Sequence, residues 1–317
     1  RLFAAIEQFM RDRFDVAIDS AREALVLTGA KEGISSIIAS LCDPGDLVLV
    51  PAIYYPVYAR ASWLVGAEVK FVPMRAEDGF IVDLDAIREE DARRARILIV
   101  NYPNNPTGAR VGRDFYDRAV AFAREHDLLL VSDVAYSELT YDGAAAPSAL
   151  ASDPAHEVTL EFHSCSKTFS MAGLRIGFCV GNADAVNALS AYRSNLGYGT
   201  ATPIQHAAAY ALEHHAELVP TTVATYKGRR DAMVAAFRRA GWNVPAPAAT
   251  MYFWLPVPEG LDDWTWVNTL IDNEGIVVTP GVAFGEAGRG FFRISMVRDE
   301  ETLVRAAERI TARRAQS

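Results

Sequence analysis

The segment from His163 to Arg175 carries the side chains that could do covalent chemistry. It reads His-Ser-Cys-Ser-Lys-Thr-Phe-Ser-Met-Ala-Gly-Leu-Arg, and apolar runs lie on both sides of it. A lysine at the end of a buried strand, such as Lys167, can act as a nucleophilic amine. Ser164, Ser166 and Arg175 are suited to bind a phosphate beside that amine. The segment predicts a nucleophilic lysine next to an anion-binding site. The alternative is a surface lysine that forms a salt bridge.

A carboxylate and a phenol follow another apolar run, in Ser-Asp-Val-Ala-Tyr at 132–136. Asp133 comes directly after a predicted buried strand, where an ionised carboxylate is costly unless it is paired with a cation. The alternative is an aspartate that caps a helix, which is common. The position of Asp133 therefore indicates that it pairs with a buried cationic group. Tyr136 is close to it in sequence.

Two further polar groups follow apolar runs elsewhere in the chain. Prolines and a glycine constrain the loop Asn-Tyr-Pro-Asn-Asn-Pro-Thr-Gly at 101–108, which makes the Asn105 amide a rigid donor. Arg293 lies between apolar residues in Phe-Arg-Ile-Ser at 292–295, and its planar fork can bind a carboxylate. The alternatives are an ordinary turn for Asn105 and a solvated edge arginine for Arg293.

Two weaker signals come early in the chain. The turn Thr-Gly-Ala-Lys-Glu-Gly at 28–33 leads into a predicted helix, so the backbone around Ala30 and Lys31 could bind a phosphate. The run Tyr-Tyr-Pro-Val-Tyr at 54–58 could place Tyr55 against a planar ring. An ordinary strand-to-helix turn and core aromatic residues are the alternatives.

Short apolar runs that alternate with helical stretches must position these groups. Such alternation predicts an α/β sheet that is mostly parallel, with ligands at the carboxyl ends of its strands. The predicted strands are Ala24–Leu27, Leu47–Val50, Val69–Val72, Ile97–Val100, Leu128–Val131, Val158–Phe162 and Ile176–Val180. The predicted helices of this part are Leu2–Phe14, Lys31–Leu41, Val57–Val65, Leu84–Arg93, Arg113–His126 and Ala183–Tyr192.

The pattern changes in the last third of the chain. A long helical stretch, Ile204–Ala240, is predicted to break near Pro220. A smaller α+β unit follows, so we predict a large domain at residues 1–225 and a small C-terminal domain at 226–317. Its predicted elements are a strand at Met251–Leu255, a helix at Trp264–Asn273, strands near Ile276–Val278 and Phe291–Met296, and a helix at Glu300–Arg314.

Composition excludes several classes of function. The chain has 317 residues, is 50% hydrophobic and carries a formal net charge of −9 without a lysine and arginine block, so we expect neither nucleic acid nor a membrane as a partner. Its three cysteines form no Cys-x-x-Cys pair, which argues against a disulfide framework or metal site and favours a cytoplasmic location. Because it starts at Arg1 within a helical pattern, we expect this sequence to begin inside a longer protein.

Together these motifs resemble the signature of the class I and II aminotransferases, which are fold-type I enzymes that use pyridoxal 5′-phosphate (PLP). The matching features are Asn-Pro-Thr-Gly at 105–108, Asp-x-x-Tyr at 133–136, Ser-x-x-Lys at 164–167 with Arg175, and Arg293. Phrases such as Gly-Ala-Lys-Glu-Gly-Ile at 29–34 are similar to the LL-diaminopimelate aminotransferase branch. The stretch at 193–200 departs from that branch, so the resemblance leaves the substrate open.

The resemblance implies a mostly parallel, seven-stranded mixed sheet sandwiched by helices, with a smaller C-terminal α+β domain. It also implies roles for single residues, with Lys167, Asp133 and Tyr136 as the catalytic set. Lys167 would hold PLP as a Schiff base, Asp133 would pair with the ring nitrogen, and Tyr136 would contact the phenolic oxygen. The other implied contacts are Tyr55 on the ring face, Asn105 at the phenolic oxygen, Ala30, Lys31, Ser164, Ser166 and Arg175 at the phosphate, and Arg293 with Asn105 at the substrate carboxylate.

The implied activity is the transfer of an amino group between an L-amino acid and a 2-oxo acid by a ping-pong mechanism. LL-diaminopimelate with 2-oxoglutarate is one pair, and a glutamate, aspartate or alanine pair is another. Relatives are homodimers with an additional N-terminal segment, so we expect a homodimer. A PLP-dependent carbon–sulfur β-lyase is the nearest alternative, and a non-catalytic effector-binding module is a second.

Overall fold

Seven strands form one sheet, as the alternation of apolar runs and helices predicts. The computed structural model describes residues 1–143 and 145–316. The strand order is β1-β7-β6-β5-β4-β2-β3; β7 runs antiparallel to both neighbours and the other neighbouring strands pair in parallel. The strands are β1 (Ala24–Leu27), β2 (Leu47–Pro51), β3 (Glu68–Val72), β4 (Ala95–Asn101), β5 (Leu129–Asp133), β6 (Thr159–Ser164) and β7 (Gly177–Gly181). The predicted mostly parallel, mixed sheet is confirmed.

Helices cover both faces of this sheet and continue into the last third of the chain. In the first two thirds they are α1 (Leu2–Phe14), α2 (Ser20–Glu23), α3 (Ala30–Leu41), α4 (Val57–Leu64), α5 (Glu89–Arg94), α6 (Arg113–Glu125), α7 (Cys165–Thr168) and α8 (Ala183–Arg193). The later helices are α9 (Thr202–Glu213), α10 (His215–Arg239), α11 (Asp263–Glu274) and α12 (Glu300–Arg314).

Strand β2 shows why both sheet faces are apolar. Successive side chains of a strand point to opposite faces. Val48 and Val50 accordingly belong to a core cluster that includes α3 and α4, whereas Leu47 and Leu49 join a second cluster that includes α6. A strand that is covered on both faces carries mainly apolar side chains along its length. Polar side chains of the large sheet therefore reach a cavity mainly where its strands end.

A second, three-stranded antiparallel sheet follows α10. Its strands are β8 (Tyr252–Pro256), β9 (Thr279–Pro280) and β10 (Phe291–Ser295), in the order β8-β10-β9. The predicted strand at Ile276–Val278 is wrong, since this stretch precedes β9. The apolar character of this stretch reflects the burial of Val278 in the core of the small unit and not a strand. Gly275 ends α11 in the left-handed conformation. The next residues connect α11 to β9, which is the strand that pairs with β10.

Two helix predictions also need correction. The long helical stretch breaks at His214, whose backbone leaves the helical region, and Pro220 lies inside α10 instead of ending a helix. The predicted helix Leu84–Arg93 is two short elements, a 3-10 turn at Leu84–Ala86 and the helix α5. They are separate because Ile87 and Arg88 are extended.

Three further observations concern membranes, metals and cysteines. Among residues 1–143 and 145–316, no helix has the length and apolar character needed to cross a membrane. The same residues contain no group of three or more His, Cys, Asp or Glu side chains that could hold a metal ion. Cys42, Cys165 and Cys179 are buried free thiols.

Candidate active site

A cavity of about 340 Å³ opens at the carboxyl ends of the central strands. Every site residue predicted from the sequence lines it. The lining consists of Ala30, Lys31, Tyr55, Tyr58, Asn101, Asn105, Asp133, Ala135, Tyr136, Ser164, Ser166, Lys167, Ala172, Arg175, Tyr252 and Arg293. These residues come from loops after different strands and from the small sheet, so the fold brings together groups that lie far apart in sequence.

Asp133 is the buried acidic group of the cavity and the last residue of β5. The Tyr58 hydroxyl donates a hydrogen bond to its Oδ2 at 2.6 Å, and the Ala135 amide donates to its Oδ1 at 3.1 Å. Burial raises the pKa of Asp133 above its ordinary value, while these two donors oppose the rise. Asp133 does not cap a helix, since a turn follows β5. A carboxylate in this setting favours a cationic partner inside the cavity.

Asn101 connects Asp133 to the loop that holds Asn105. Its side-chain amide donates to the Asp133 carbonyl oxygen at 2.7 Å, and its Oδ1 accepts from the Asn105 amide at 2.9 Å. Asn101 ends β4, which pairs with β5 at Asp133. Hydrogen bonds of this buried kind fix the backbone of Asn105 relative to the backbone of Asp133.

Tyr136 lies one turn beyond Asp133 and is buried. Its hydroxyl is 2.8 Å from the Tyr252 hydroxyl, and the two rings meet edge to face. Burial first and the neighbouring Tyr252 second hold the pKa of Tyr136 well above its ordinary value. Tyr136 is therefore a neutral hydrogen-bond donor at ordinary pH.

Lys167 lies in the short helix α7, directly after β6. The Ser164 hydroxyl caps this helix by accepting from the Ser166 amide at 3.3 Å. The Lys167 side chain is half-buried and lines the cavity. Within the described part of the chain, its amine has neither a hydrogen bond nor an ion pair. An amine without a protein partner is available to a ligand in the cavity.

Arg175 and the first turn of α3 form an anion-binding corner. Arg175 donates to the carbonyl oxygens of Ala172 at 2.8 Å and Thr28 at 3.2 Å, and lies 3.5 Å from the Ser166 hydroxyl. Gly29 has a φ of 114°, and a Cβ there would come within 2.6 Å of the Arg175 guanidinium. Glycine therefore permits the arginine to approach the free N–H groups at the start of α3.

Arg293 projects from β10 of the small sheet. Its guanidinium donates to Asn105 Oδ1 at 2.8 Å and lies over the rings of Tyr252 and Phe284, at 4.2 and 4.7 Å. Its buried Nε has no hydrogen-bond partner in residues 1–143 and 145–316, and no Asp or Glu of this part pairs with it. An arginine whose position is fixed by such contacts, and which has no carboxylate partner among the described residues, is suited to bind a carboxylate ligand.

Sequence reasoning missed three polar residues of the cavity, Tyr58, Asn101 and Tyr252, and the two alanines Ala135 and Ala172. Tyr58 and Asn101 occur in motifs that the sequence marks, the tyrosine run at 54–58 and the loop at 101–108. Their position beside Asp133 depends on how strands and helices pack, which the motifs do not specify. Tyr252 lies in an apolar strand and gives no signal that its hydroxyl meets that of Tyr136, in the turn after β5.

The family model of the class I and II aminotransferases matches residues 2–310. The chain therefore belongs to the class I and II aminotransferases. It is a PLP-dependent transaminase, and its substrates are amino acids and 2-oxo acids.

Two relatives and two solved structures are similar to this chain over almost all of its length. The LL-diaminopimelate aminotransferase of Natranaerobius thermophilus is 41% identical over 310 residues, which cover 98% of this chain and 80% of that protein. The one from Desulforudis audaxviator is 44% identical over 306 residues, covering 96% and 78%. Substrate-bound BacF from Bacillus subtilis superimposes with a TM-score of 0.95 at 34% identity, covering 99% and 80%. A probable N-succinyldiaminopimelate aminotransferase from Thermus thermophilus gives 0.92 at 34% identity, covering 98% and 83%.

The walls of the cavity fit PLP. The corner at Gly29 and Arg175 offers donors to a phosphate. The buried carboxylate of Asp133 favours a cation such as a protonated ring nitrogen. The Lys167 amine has no partner among the described residues and can react with the aldehyde group of PLP.

Proposed function

We propose that this chain moves an amino group between an L-amino acid and a 2-oxo acid by a ping-pong mechanism at Lys167. LL-diaminopimelate and 2-oxoglutarate are the proposed substrates, with a glutamate, aspartate or alanine pair as the related possibility. The carrying observation is that the Lys167 amine, which has no partner among the described residues, shares one cavity with Asp133 and Arg293. The names of the relatives support the choice of LL-diaminopimelate.

Lys167 carries the proposed proton transfer. When it is bound, PLP supplies an electron sink for the pair left at the substrate Cα. The Lys167 amine would hold the cofactor in the absence of substrate. Once free, its Nζ would be the base that accepts the substrate Cα proton and the acid that gives it up again. A half-buried amine without a competing partner is suited to both tasks.

Buried groups of the large sheet tune this chemistry. Asp133 keeps a proton on the ring nitrogen by pairing with it, at low effective dielectric. Tyr136 would donate to the phenolic oxygen of the ring, and its hydroxyl would then accept from that of Tyr252, which lies 2.8 Å away. Asn105 shares the contact with the phenolic oxygen, and Tyr55 packs on the ring face. These roles are the ones that the resemblance to the family implies, and all of these side chains line the cavity.

Two separate arginines bind the anionic groups in this proposal. Arg175, Ser164, Ser166 and the backbone of Ala30 and Lys31 hold the phosphate, because they form the corner at the start of α3. Arg293 and Asn105 hold the α-carboxylate of the substrate, because they share a hydrogen bond and face the same cavity. With one arginine for each anion, cofactor retention and substrate binding can be changed independently.

Assembly, location and domain division remain part of the proposal. A homodimer is supported by a surface groove of about 590 Å³ next to Arg175, where Leu64 is 85% exposed. Sedimentation of the holoenzyme tests this, and a mass equal to one chain contradicts it. Cytoplasmic location stays a prediction, as does the division at residues 225 and 226, which lies inside α10.

Initial rates with LL-diaminopimelate, L-glutamate, L-aspartate and L-alanine test the substrate proposal, each with a 2-oxo acid acceptor. Ping-pong kinetics gives parallel lines in double-reciprocal plots at several acceptor concentrations. Lines that converge would contradict the mechanism. Pyruvate and ammonia released without any acceptor would support the β-lyase instead. A kcat/KM for LL-diaminopimelate below that of the other donors would reject it as the preferred substrate.

A further inference from the structure

Tyr58 is fully buried directly behind Asp133. Its exposed fraction is 0%, and its hydroxyl donates to Asp133 Oδ2 at 2.6 Å. The only other donor to this carboxylate, within residues 1–143 and 145–316, is the Ala135 amide. Tyr58 is therefore the one side chain in that part of the chain that bonds directly to the carboxylate of Asp133.

The first turn of α4 holds Tyr58 in place. The Tyr58 amide donates to the Tyr55 carbonyl at 3.1 Å, and the Tyr58 carbonyl accepts from the Ser62 hydroxyl at 2.9 Å. Its ring meets that of Tyr55 edge to face, with centroids 6.0 Å apart. A ring packed in this way has little freedom to turn away from Asp133, so the hydrogen bond is part of the rigid core.

We propose that Tyr58 is a positioning residue that holds Asp133 ionised and thereby keeps the proton on the ring nitrogen of the cofactor. This inference rests on the proposed pairing of Asp133 with that nitrogen. Tyr58 touches neither substrate nor reacting atoms, and it acts only through Asp133.

The physical argument concerns where one proton resides. A hydrogen bond donated to a carboxylate stabilises its charged form and lowers its affinity for a proton. In a carboxylate–pyridinium pair, loss of that donor moves the proton toward the carboxylate and leaves the nitrogen neutral. Hydrogen bonds to charged groups change such an equilibrium by about tenfold or more. A neutral ring nitrogen is a weaker electron sink, so turnover falls.

Other titratable groups near Asp133 do not take over this task. Tyr55, Tyr136 and His163 surround it and contribute to the local electrostatics. The Tyr136 hydroxyl is engaged with Tyr252, and one His163 nitrogen is engaged with Glu161 at 2.9 Å. Removal of the Tyr58 hydroxyl therefore leaves Oδ2 without its protein donor.

The test compares wild-type and Tyr58→Phe holoenzymes loaded with PLP that carries ¹⁵N in its ring. At one neutral pH, the ¹⁵N resonance of the variant should move toward the position of a neutral ring nitrogen. The kcat should fall about tenfold, while KM for the amino donor stays within about twofold. A merely structural role would leave the ¹⁵N resonance where it is in the wild type.

Two reference variants make the outcomes distinct. Tyr102→Phe removes another buried hydroxyl, which accepts from the Val82 amide at 2.8 Å outside the cavity lining, so it should leave the resonance unchanged. Asp133→Asn should give the full neutral position. If Asp133→Asn moves the resonance and Tyr58→Phe does not, the role of Tyr58 is overturned and that of Asp133 stands. If neither variant moves it, both roles fail.

A measurement on the wild type covers the case in which Tyr58→Phe does not fold. A buried hydroxyl that donates at 2.6 Å should give a slowly exchanging, downfield proton resonance in the holoenzyme. This resonance should move upfield in Asp133→Asn, because an amide oxygen is a weaker acceptor than a carboxylate. Its absence from the wild-type spectrum, or an unchanged position in that variant, would overturn the proposal.

Discussion

The surroundings of Asp133 and of Arg175 differ in almost every physical respect. Asp133 ends a central strand, is 6% exposed, and has both carboxylate oxygens engaged by protein donors. Arg175 lies in a turn with a left-handed backbone, is exposed, and donates mainly to backbone carbonyls. Both line the same cavity. The cavity thus combines a buried, rigid region with an open one.

This difference separates two tasks. Electrostatic interactions at low dielectric are strong and little screened, so the Asp133 region can change the reactivity of a bound ring. Interactions of an exposed guanidinium are screened by salt and exchange readily with water, so the Arg175 region contributes mainly to holding the cofactor. Changes at Asp133 should therefore alter rates, and changes at Arg175 should alter cofactor affinity.

Lys167→Ala should have the largest effect, because both regions serve the amine that lines the same cavity. Loss of the base and acid should lower kcat by at least about 10³-fold, while the protein still takes up PLP without a covalent bond. Stopped assays of product formation and equilibrium dialysis with PLP measure the two effects. Lys227→Ala, which removes an amine outside the cavity, is the matched control. Near wild-type turnover of Lys167→Ala would refute the assignment.

Asp133→Asn should lower kcat by about 10²- to 10³-fold, or roughly 3–4 kcal/mol, which is at the lower end of the cost of breaking a buried pair. The dissociation constant of PLP should change far less, because the phosphate corner stays intact. Steady-state kinetics at saturating PLP and a PLP titration separate the two quantities. Equal losses in rate and in PLP affinity would remove the distinction between the two regions.

Arg293→Gln should raise KM for the amino donor by about 10- to 100-fold, because a charge-assisted pair with the substrate carboxylate is lost. PLP affinity should remain that of the wild type. This variant sharpens the comparison, since Arg293 is half-buried and belongs to the small sheet. The experiment measures KM and the PLP dissociation constant side by side. A change in PLP affinity without a change in KM would place Arg293 at the cofactor instead.

Arg175→Gln should weaken PLP binding by about tenfold and leave kcat at saturating PLP within about threefold. Because an exposed charge is screened, wild-type PLP affinity should fall as salt rises, and the variant should respond less. Arg118→Gln, another exposed arginine, which pairs with Asp85, is the matched control. A large loss of kcat at saturating PLP would show that the open region also sets the rate.

Much of the sheet and of the cavity could be predicted from the sequence. Mostly apolar runs marked all seven strands of the large sheet, and the residues shortly after them included Asn105, Asp133 and Lys167. This works because a strand covered on both faces leaves a strong local pattern, and polar groups can follow only at its end. The motifs of the family then connected these positions to one another.

The remainder depended on contacts between distant parts of the chain. Tyr58 and Tyr252 carry ordinary aromatic signals, and only the packing of α4 and β8 brings their hydroxyls to Asp133 and Tyr136. The strand expected at Ile276–Val278 failed because a buried valine in a connection resembles one in a strand. Pro220 was expected to end a helix, but α10 continues through it.

Borohydride reduction of the holoenzyme, followed by peptide mapping, tests most directly whether Lys167 holds the cofactor. Reduction fixes PLP permanently on the lysine that carries it. Lys31 provides an internal comparison, because it lines the same cavity at the phosphate corner. The account predicts one pyridoxyl group per chain, on the peptide that contains Lys167. Modification of Lys31 or of any other lysine, with Lys167 unmodified, would contradict it.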